Sequence, residues 1–224
     1  MTYIVTSEYD IDKIAAPNLP LAPDEWDRRY QDQFANVLRL YFNRVDDFIA
    51  RLSIGSEAID GSGVRFPYGA FSSDQDQTTT ANTATLMTLN TTDFSNNVSL
   101  VTGSKITAAK AGIYNLQFST QFQNTDNQIQ DISIWLKQNG TDIVGSTGLV
   151  SIPARKSASA GEEAHEIIGW NYYVSMNAND YIQIYWSATL ASVTIQHYPT
   201  SASPTRPATQ SVVATLSFVS ALPA

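Results

Sequence analysis

No cysteine occurs in the 224 residues, and histidine is limited to His165 and His197. Disulfides, thiolate metal sites and cysteine nucleophiles are thereby excluded, and a zinc site built from several histidines nearly so. At this length the missing cysteines cost no stability, because one all-β domain, or one domain with a small appendage, buries a core without staples. Charge is scarce too: Asp, Glu, Lys and Arg make up 15% of the chain, against about 25% in an average soluble protein. Thirteen basic residues face 21 acidic ones, for a net charge of −8. Such a balance argues against a nucleic-acid partner, whose phosphates are met by clustered cations. No apolar run reaches the roughly 18 residues of a membrane span. The opening MTYIVTSEYD lacks the basic and apolar regions of a signal peptide.

What the chain does have is polarity without charge, and aromatic rings. Ser, Thr, Asn and Gln together number 72, alongside 11 Tyr and 9 Phe. This suits β-rich surfaces and interfaces better than a solvated helical enzyme. The charges are unevenly spread: residues 24–51 hold 11 in 28 positions, residues 72–224 only 16 in 153. A boundary between two kinds of structure therefore falls near residues 53–65.

Residues 1–23 read as an extended docking arm. Pro17, Pro20 and Pro23 limit helix and sheet alike, while Tyr3, Ile4, Val5, Ile11, Ile14, Leu19 and Leu21 are apolar anchors without a period. A disordered terminus, or a strand packed on its own domain, is the alternative. Residues 24–54 read as an amphipathic helix. Pro23 suits a first helical position, Asp24 and Glu25 complement the helix dipole, and Gly55 lies just past the end. Phe34, Tyr41 and Phe48 fall seven apart, interleaved with Leu38, Val45 and Leu52, and Trp26 and Tyr30 extend the stripe. A narrow heptad seam suits a partner helix or a foreign docking site; packing on the chain's own β region is the alternative. Residues 55–65, with Gly55, Gly61 and Gly63, read as a hinge.

From 66 to 224 the period is two. Tyr114, Leu116, Phe118, Thr120 and Phe122 share a face, as do Ile132, Ile134 and Leu136, then Trp170, Tyr172, Val174 and Met176, then Ile182, Ile184, Trp186 and Ala188. Val193 and Ile195 follow, then Val212, Ala214, Leu216 and Phe218, with turn signals at Ala111-Gly112, Asn139-Gly140 and Asn179-Asp180. About eight to ten half-polar strands without an intervening helix predict an antiparallel sandwich or jelly roll. Trp135, Tyr173, Tyr181, Tyr185 and Tyr198 then point outward, and burial between subunits would resolve their exposure. Residues 151–166 and 199–210 read as long loops, with Arg155, Lys156, His165 and Arg206 as candidate recognition residues; solvated connectors are the alternative.

No chemistry stands out. The chain lacks a Walker loop, a dinucleotide fingerprint, HExxH and GxSxG. His165 sits among Glu162, Glu163 and Glu166, and His197 continues the face of Val193 and Ile195. The Asp residues sit mostly at turns, and the loop around Asp74 and Asp76 lacks the EF-hand pattern. No catalytic residue, metal or cofactor is expected.

Three stretches resemble the jelly roll shared by tumour necrosis factor and the globular heads of complement: Ser104 to Tyr114 (SKITAAKAGIY), Val174 to Trp186 (VSMNANDYIQIYW) and Val212 to Val219 (VVATLSFV). Asn179 stands where such turns usually carry Gly. The resemblance spans roughly residues 66–220 and implies a homotrimer with an aromatic-lined axis. Asn18 to Pro23 (NLPLAP), Tyr30 to Phe34 (YQDQF) and Leu38 to Asn43 (LRLYFN) are similar to segments of structural proteins of tailed phages, particularly marine cyanophages. That likeness implies a virion protein, assembled in the host cytoplasm. Its arm and helix would attach to other virion proteins, and its head would be a short fibre or knob contacting a host glycan or receptor. A head decoration protein, or a carbohydrate-binding or depolymerase module using Trp135, are the alternatives.

Overall fold

Where apolar and polar residues alternate, a strand acquires one face for the core and one for solvent. The computed structural model describes residues 17–53 and 66–223, except 22, 24, 158, 160 and 161. Most of the expected arm, residues 1–16, and the hinge over 55–65 lie outside the described residues. The chain divides into two units, Met1–Phe66 and Pro67–Ala224.

In the first unit, helix α1 spans Arg28–Ser53, starting later than Pro23 and Asp24 suggested. Asp27 decides the start. Its Oδ1 accepts the Arg29 N–H at 2.8 Å and its carbonyl accepts the Gln31 N–H at 3.2 Å, satisfying donors that a helix end leaves open. Trp26 therefore precedes the helix, 78% exposed, and does not extend the stripe. Tyr30, Phe34, Leu38, Tyr41 and Val45 are half-buried, with the Tyr30 and Phe34 rings stacked at 6.0 Å. Val37 is half-buried beside them, and Phe42 on the far flank is 58% exposed. The side chains of Phe48 and Leu52 lie outside the described residues.

The second unit contains β1 (Tyr68–Ser73), β2 (Thr85–Leu86), β3 (Thr91–Asn96), β4 (Val98–Val101), β5 (Lys105–Ala108), β6 (Gly112–Asn124), β7 (Gln130–Gln138) and β8 (Thr141–Asp142). It continues with β9 (Gly148–Ile152), β10 (Ala164–Met176), β11 (Tyr181–Ala188), β12 (Val193–Ile195), β13 (Ser201–Ala202), β14 (Thr205–Arg206) and β15 (Val212–Ser220). The first sheet runs β10-β6-β15-β1-β3, with β12 also on β6; the second runs β4-β5-β11-β7-β8, with β2 on β11 and β9 on β7. Counting β1, β5, β6, β7, β9, β10, β11 and β15 as first to eighth, one sheet reads sixth-third-eighth-first and the other second-seventh-fourth-fifth. This exchange of strands between two antiparallel sheets is the jelly-roll arrangement, as the alternation predicted.

The core lies between the sheets. Leu116, Phe118 and Phe122 of β6, Ile132, Ile134 and Leu136 of β7, Ile184 and Trp186 of β11, and Val212 and Leu216 of β15 are buried in one cluster. Each such side chain contributes about 1.5–3 kcal/mol relative to exposure. A one-residue slip of any strand would turn its whole apolar set outward, which pins the register. Asn139 and Gly140 both take positive φ, 51° and 83°, the tight hairpin geometry that Asn-Gly favours. Asn179 sits at φ 70°, where Asn substitutes for Gly with little strain.

Two loops differ from expectation. Strand β9 reaches Ile152 and β10 begins at Ala164, so the connection shrinks to 153–163. His165 thus stands on a strand, opposite Gln123, because buried Ala164 and Ile168 continue a period that the intervening charges hid. The 199–210 segment contains the small hairpin β13–β14.

Candidate functional site

Burying Ile134, Leu136, Ile184 and Trp186 drives their strand neighbours Trp135, Lys137, Gln183 and Tyr185 to the opposite side of the second sheet. Tyr185 lies directly across from Trp135, with ring centroids 6.0 Å apart at 30°. The Asn139-Gly140 turn folds β8 back so that Asp142 faces Lys137. Asp142 Oδ1 accepts the Trp135 Nε1–H at 2.9 Å and lies 3.3 Å from Lys137 Nζ. Lys137 Nζ in turn stands 4.7 Å above the Tyr185 ring centre. Four side chains thus close a ring of contacts on an outward face. Nearby, Lys105 of β5 stands 4.6 Å above the Tyr181 ring. Ser133 pairs with Ser187 on one side and with Leu149, 78% exposed, on the other. Lys137, Asp142, Lys105 and Leu149 were not expected at a site. For Asp142 a signal existed: a two-residue turn at 139–140 sets residue 137 opposite residue 142.

Tyr173 points the other way. It projects from β10 on the outer face of the first sheet, 59% exposed, with Ile167, six residues earlier on the same face of the strand, at 66%. The five outward aromatics therefore do not share one face: Trp135, Tyr181 and Tyr185 project from the second sheet, Tyr173 from the first, and Tyr198 lies on the connection between β12 and β13. The register puts Gly169, Ser119 and Val213 in one row of this face, Asn171, Gln117 and Thr215 in the next, and Tyr173, Asn115 and Ser217 in the third. None of these nine residues is charged. Around Gly169 the absent side chain leaves a shallow cleft of about 470 Å³ against Gln117, Ser119, Asn171, Val213 and Thr215. Asn115 Oδ1 is buried on this face without a hydrogen-bond partner.

A third cluster joins β10 to the connection between β12 and β13. The Tyr198 hydroxyl lies 3.0 Å from His165 Nδ1, with the rings edge to face at 5.5 Å. Burial raises the Tyr198 phenol above its ordinary pKa; Glu163 and Asp76 add to this and Arg206 opposes it. Arg206 Nη1 donates to the Pro199 and Pro207 carbonyls at 3.3 and 3.4 Å, bracing its own hairpin. Arg155 and Lys156 lie on the 153–163 connection, their backbone N–H groups donating to the Asp126 and Glu162 carbonyls at 2.8 and 2.7 Å. His197 donates its backbone N–H to Asp76 Oδ1 at 2.8 Å.

Other carboxylates serve turns. Asp180 accepts the Asn177 N–H and the Asn139 amide at 2.7 Å each, and the Gln138 amide at 3.1 Å. Burial pushes its carboxyl up, but these hydrogen bonds outweigh that and hold it below the ordinary range. Asp74 is also lowered, by the Gln75 and Asn90 amides it accepts at 2.8 and 2.6 Å. Asp76 turns instead to His197, so the two acids serve different partners. Among the described residues no three His, Asp or Glu side chains converge as a metal site, and no helix is long and apolar enough to cross a membrane.

No protein-family model matches the chain, and no curated protein does. Among solved structures the chain is similar to Eiger TNF from S. frugiperda, at 11% identity and a TM-score of 0.45, over 71% of this chain and 97% of that one.

Proposed function

We propose that this chain is a non-enzymatic structural protein whose β head self-associates into a homotrimer and presents its remaining surface to a partner. The outer face of the first sheet carries this reading. Nine residues in three rows there bear no charge, in a chain of net charge −8. Like-charged copies repel, so they approach at least cost through an uncharged face, and depletion of charge is what marks an interface core. Ile167 and Tyr173 are largely exposed on that face and gain from being covered. The helix points the same way. Tyr30 and Val37 on one side of the Phe34–Leu38–Tyr41–Val45 seam, and Phe42 on the other, widen the apolar arc beyond what a two-stranded coil buries.

The N-terminal arm and helix would then attach the head to a larger assembly. The finer form of the reading is a knob on a tailed-phage virion that meets a host glycan or receptor, with a head decoration protein as its neighbour. That form rests on the likeness of residues 17–50. Use of Asp74 and Asp180 to pin turns favours structure over acid–base work.

Light scattering on the full chain tests the proposal. The wild type should weigh three times 24.5 kDa at micromolar concentration. Ile167→Asp, at a site already 66% exposed in the single chain, should leave the fold intact and drop the mass to one copy, because a charge buried between subunits is heavily penalised. A wild type of 24.5 kDa, or a variant that stays trimeric, overturns the assignment of this face.

A further inference from the structure

We infer that the outer face of the second sheet, centred on Trp135, is a binding platform for neutral pyranose units of a surface glycan. This deepens the attachment reading above by naming the class of ligand the head would meet.

The first ground is preorganisation. The Trp135 indole N–H is held by Asp142 at 2.9 Å, Asp142 by Lys137 at 3.3 Å, and Lys137 over the Tyr185 ring at 4.7 Å, which closes on Trp135 at 6.0 Å. Ordering four long side chains on a solvent-facing sheet costs rotamer entropy, and a surface ion pair returns little of it to folding. A ligand profits instead, because groups already fixed in the binding geometry need no further ordering.

The second ground is the chemistry on offer. A pyranose ring has an apolar C–H face and a rim of hydroxyls, so it needs an exposed flat ring with donors and acceptors at the edge. Trp135 is partly exposed. Both contacts of Asp142 use Oδ1, and its side chain is 64% exposed, so a second carboxylate oxygen is available to sugar hydroxyls. The Lys137 ammonium is a donor beside it, and Ser133 and Ser187 pair in the row beyond the rings.

The third ground is charge. Lys137 and Asp142 neutralise each other at 3.3 Å, so the pair at the centre of the platform presents no net charge to a uronate, a phosphate or a cationic peptide. A nucleobase could stack on the same ring, but its phosphates would meet a lysine already paired. Neutral hexoses match the balance.

The test uses the full chain against immobilised neutral oligosaccharides (glucans, mannans and galactans) and uronate-containing ones, followed by titration of the best binder. Trp135→Ala should weaken binding by about ten-fold or more, equivalent to 1.4 kcal/mol. Trp135→Phe should keep part of the affinity, and Asp142→Ala should weaken it while leaving the aromatic pair in place. Thermal unfolding of each variant separates lost binding from lost fold. Absence of binding to every neutral saccharide, binding confined to uronates, or unchanged affinity in folded Trp135→Ala overturns the inference. Molar mass measured on the same samples distinguishes the two readings. A trimer that binds no neutral sugar sinks the platform alone, and a monomer that binds through Trp135 sinks the trimer alone.

Discussion

Replacing Gly148 with alanine tests how tightly β9 closes against the opposite sheet. Gly148 opens β9 across from Ile134, and a methyl group there would come within 1.9 Å of two carbons of the Trp170 indole, Cη2 and Cζ3. Carbon atoms rest about 3.5–4.0 Å apart, so the ring or the strand must yield by more than 1.5 Å. The ring is also held by stacking on Phe118 at 6.3 Å and 20°, and Phe118 is 5% exposed in the core. Overpacking of this kind costs about 1–3 kcal/mol. Against it stands a gain of about 0.4–1 kcal/mol from restricting the unfolded chain. That gain is available because the backbone at Gly148 is not in the left-handed region. The net expectation is a loss of about 1–2 kcal/mol, or a melting temperature lower by about 2–8 °C in a chain of this size. Urea and thermal denaturation of the full chain, followed by tryptophan fluorescence, would read it. In a Trp170→Phe background, which removes the offending carbons, the same alanine should become neutral or slightly stabilising. A wild-type midpoint in Gly148→Ala, or an equal loss in both backgrounds, would refute the packing argument.

Two further outcomes follow from single side chains. Asp180 is held below its ordinary pKa of about 3.9. Its stabilisation is therefore complete above that value and lost as pH falls through the lower folded value. Asp180→Asn should flatten the acid limb of the stability curve below about pH 4; an unchanged limb would show that the turn does not favour the charged carboxylate. Asp27→Ala should cost α1 about 1 kcal/mol, visible as reduced helical ellipticity of the full chain, whereas unchanged ellipticity would mean that another group caps the helix.

Strand faces were legible because alternation is a local property: the parity that buries Ile132, Ile134 and Leu136 turns Trp135 outward whatever the partner strand. The Asn139-Gly140 and Asn179 turns were legible for the same reason, since positive φ selects Gly and Asn residue by residue. The helix starts later than Pro23 and the acids after it imply. Proline and acids near 23–25 carry a general preference, whereas Asp27 makes the specific hydrogen bond that sets the cap. The 151–166 segment hid part of a strand, because exposed His165 and Glu166 obscured the buried Ala164 and Ile168 on either side.

Sequence alone thus determined the long strands, their inward faces and the contrast between a charged helix and a sparsely charged β head, all set by neighbours a few residues apart. Only tertiary structure decided which outward residues meet. Tyr185 stands beside Trp135 because β11 pairs with β7 across more than forty residues of chain. Tyr173 stands on the opposite side because β10 pairs with β6 in the other sheet. His165 of β10 reaches Tyr198 of the connection after β12, 33 residues further along the chain. Pairings at that separation are chosen by the packing of the whole core, which no local pattern records.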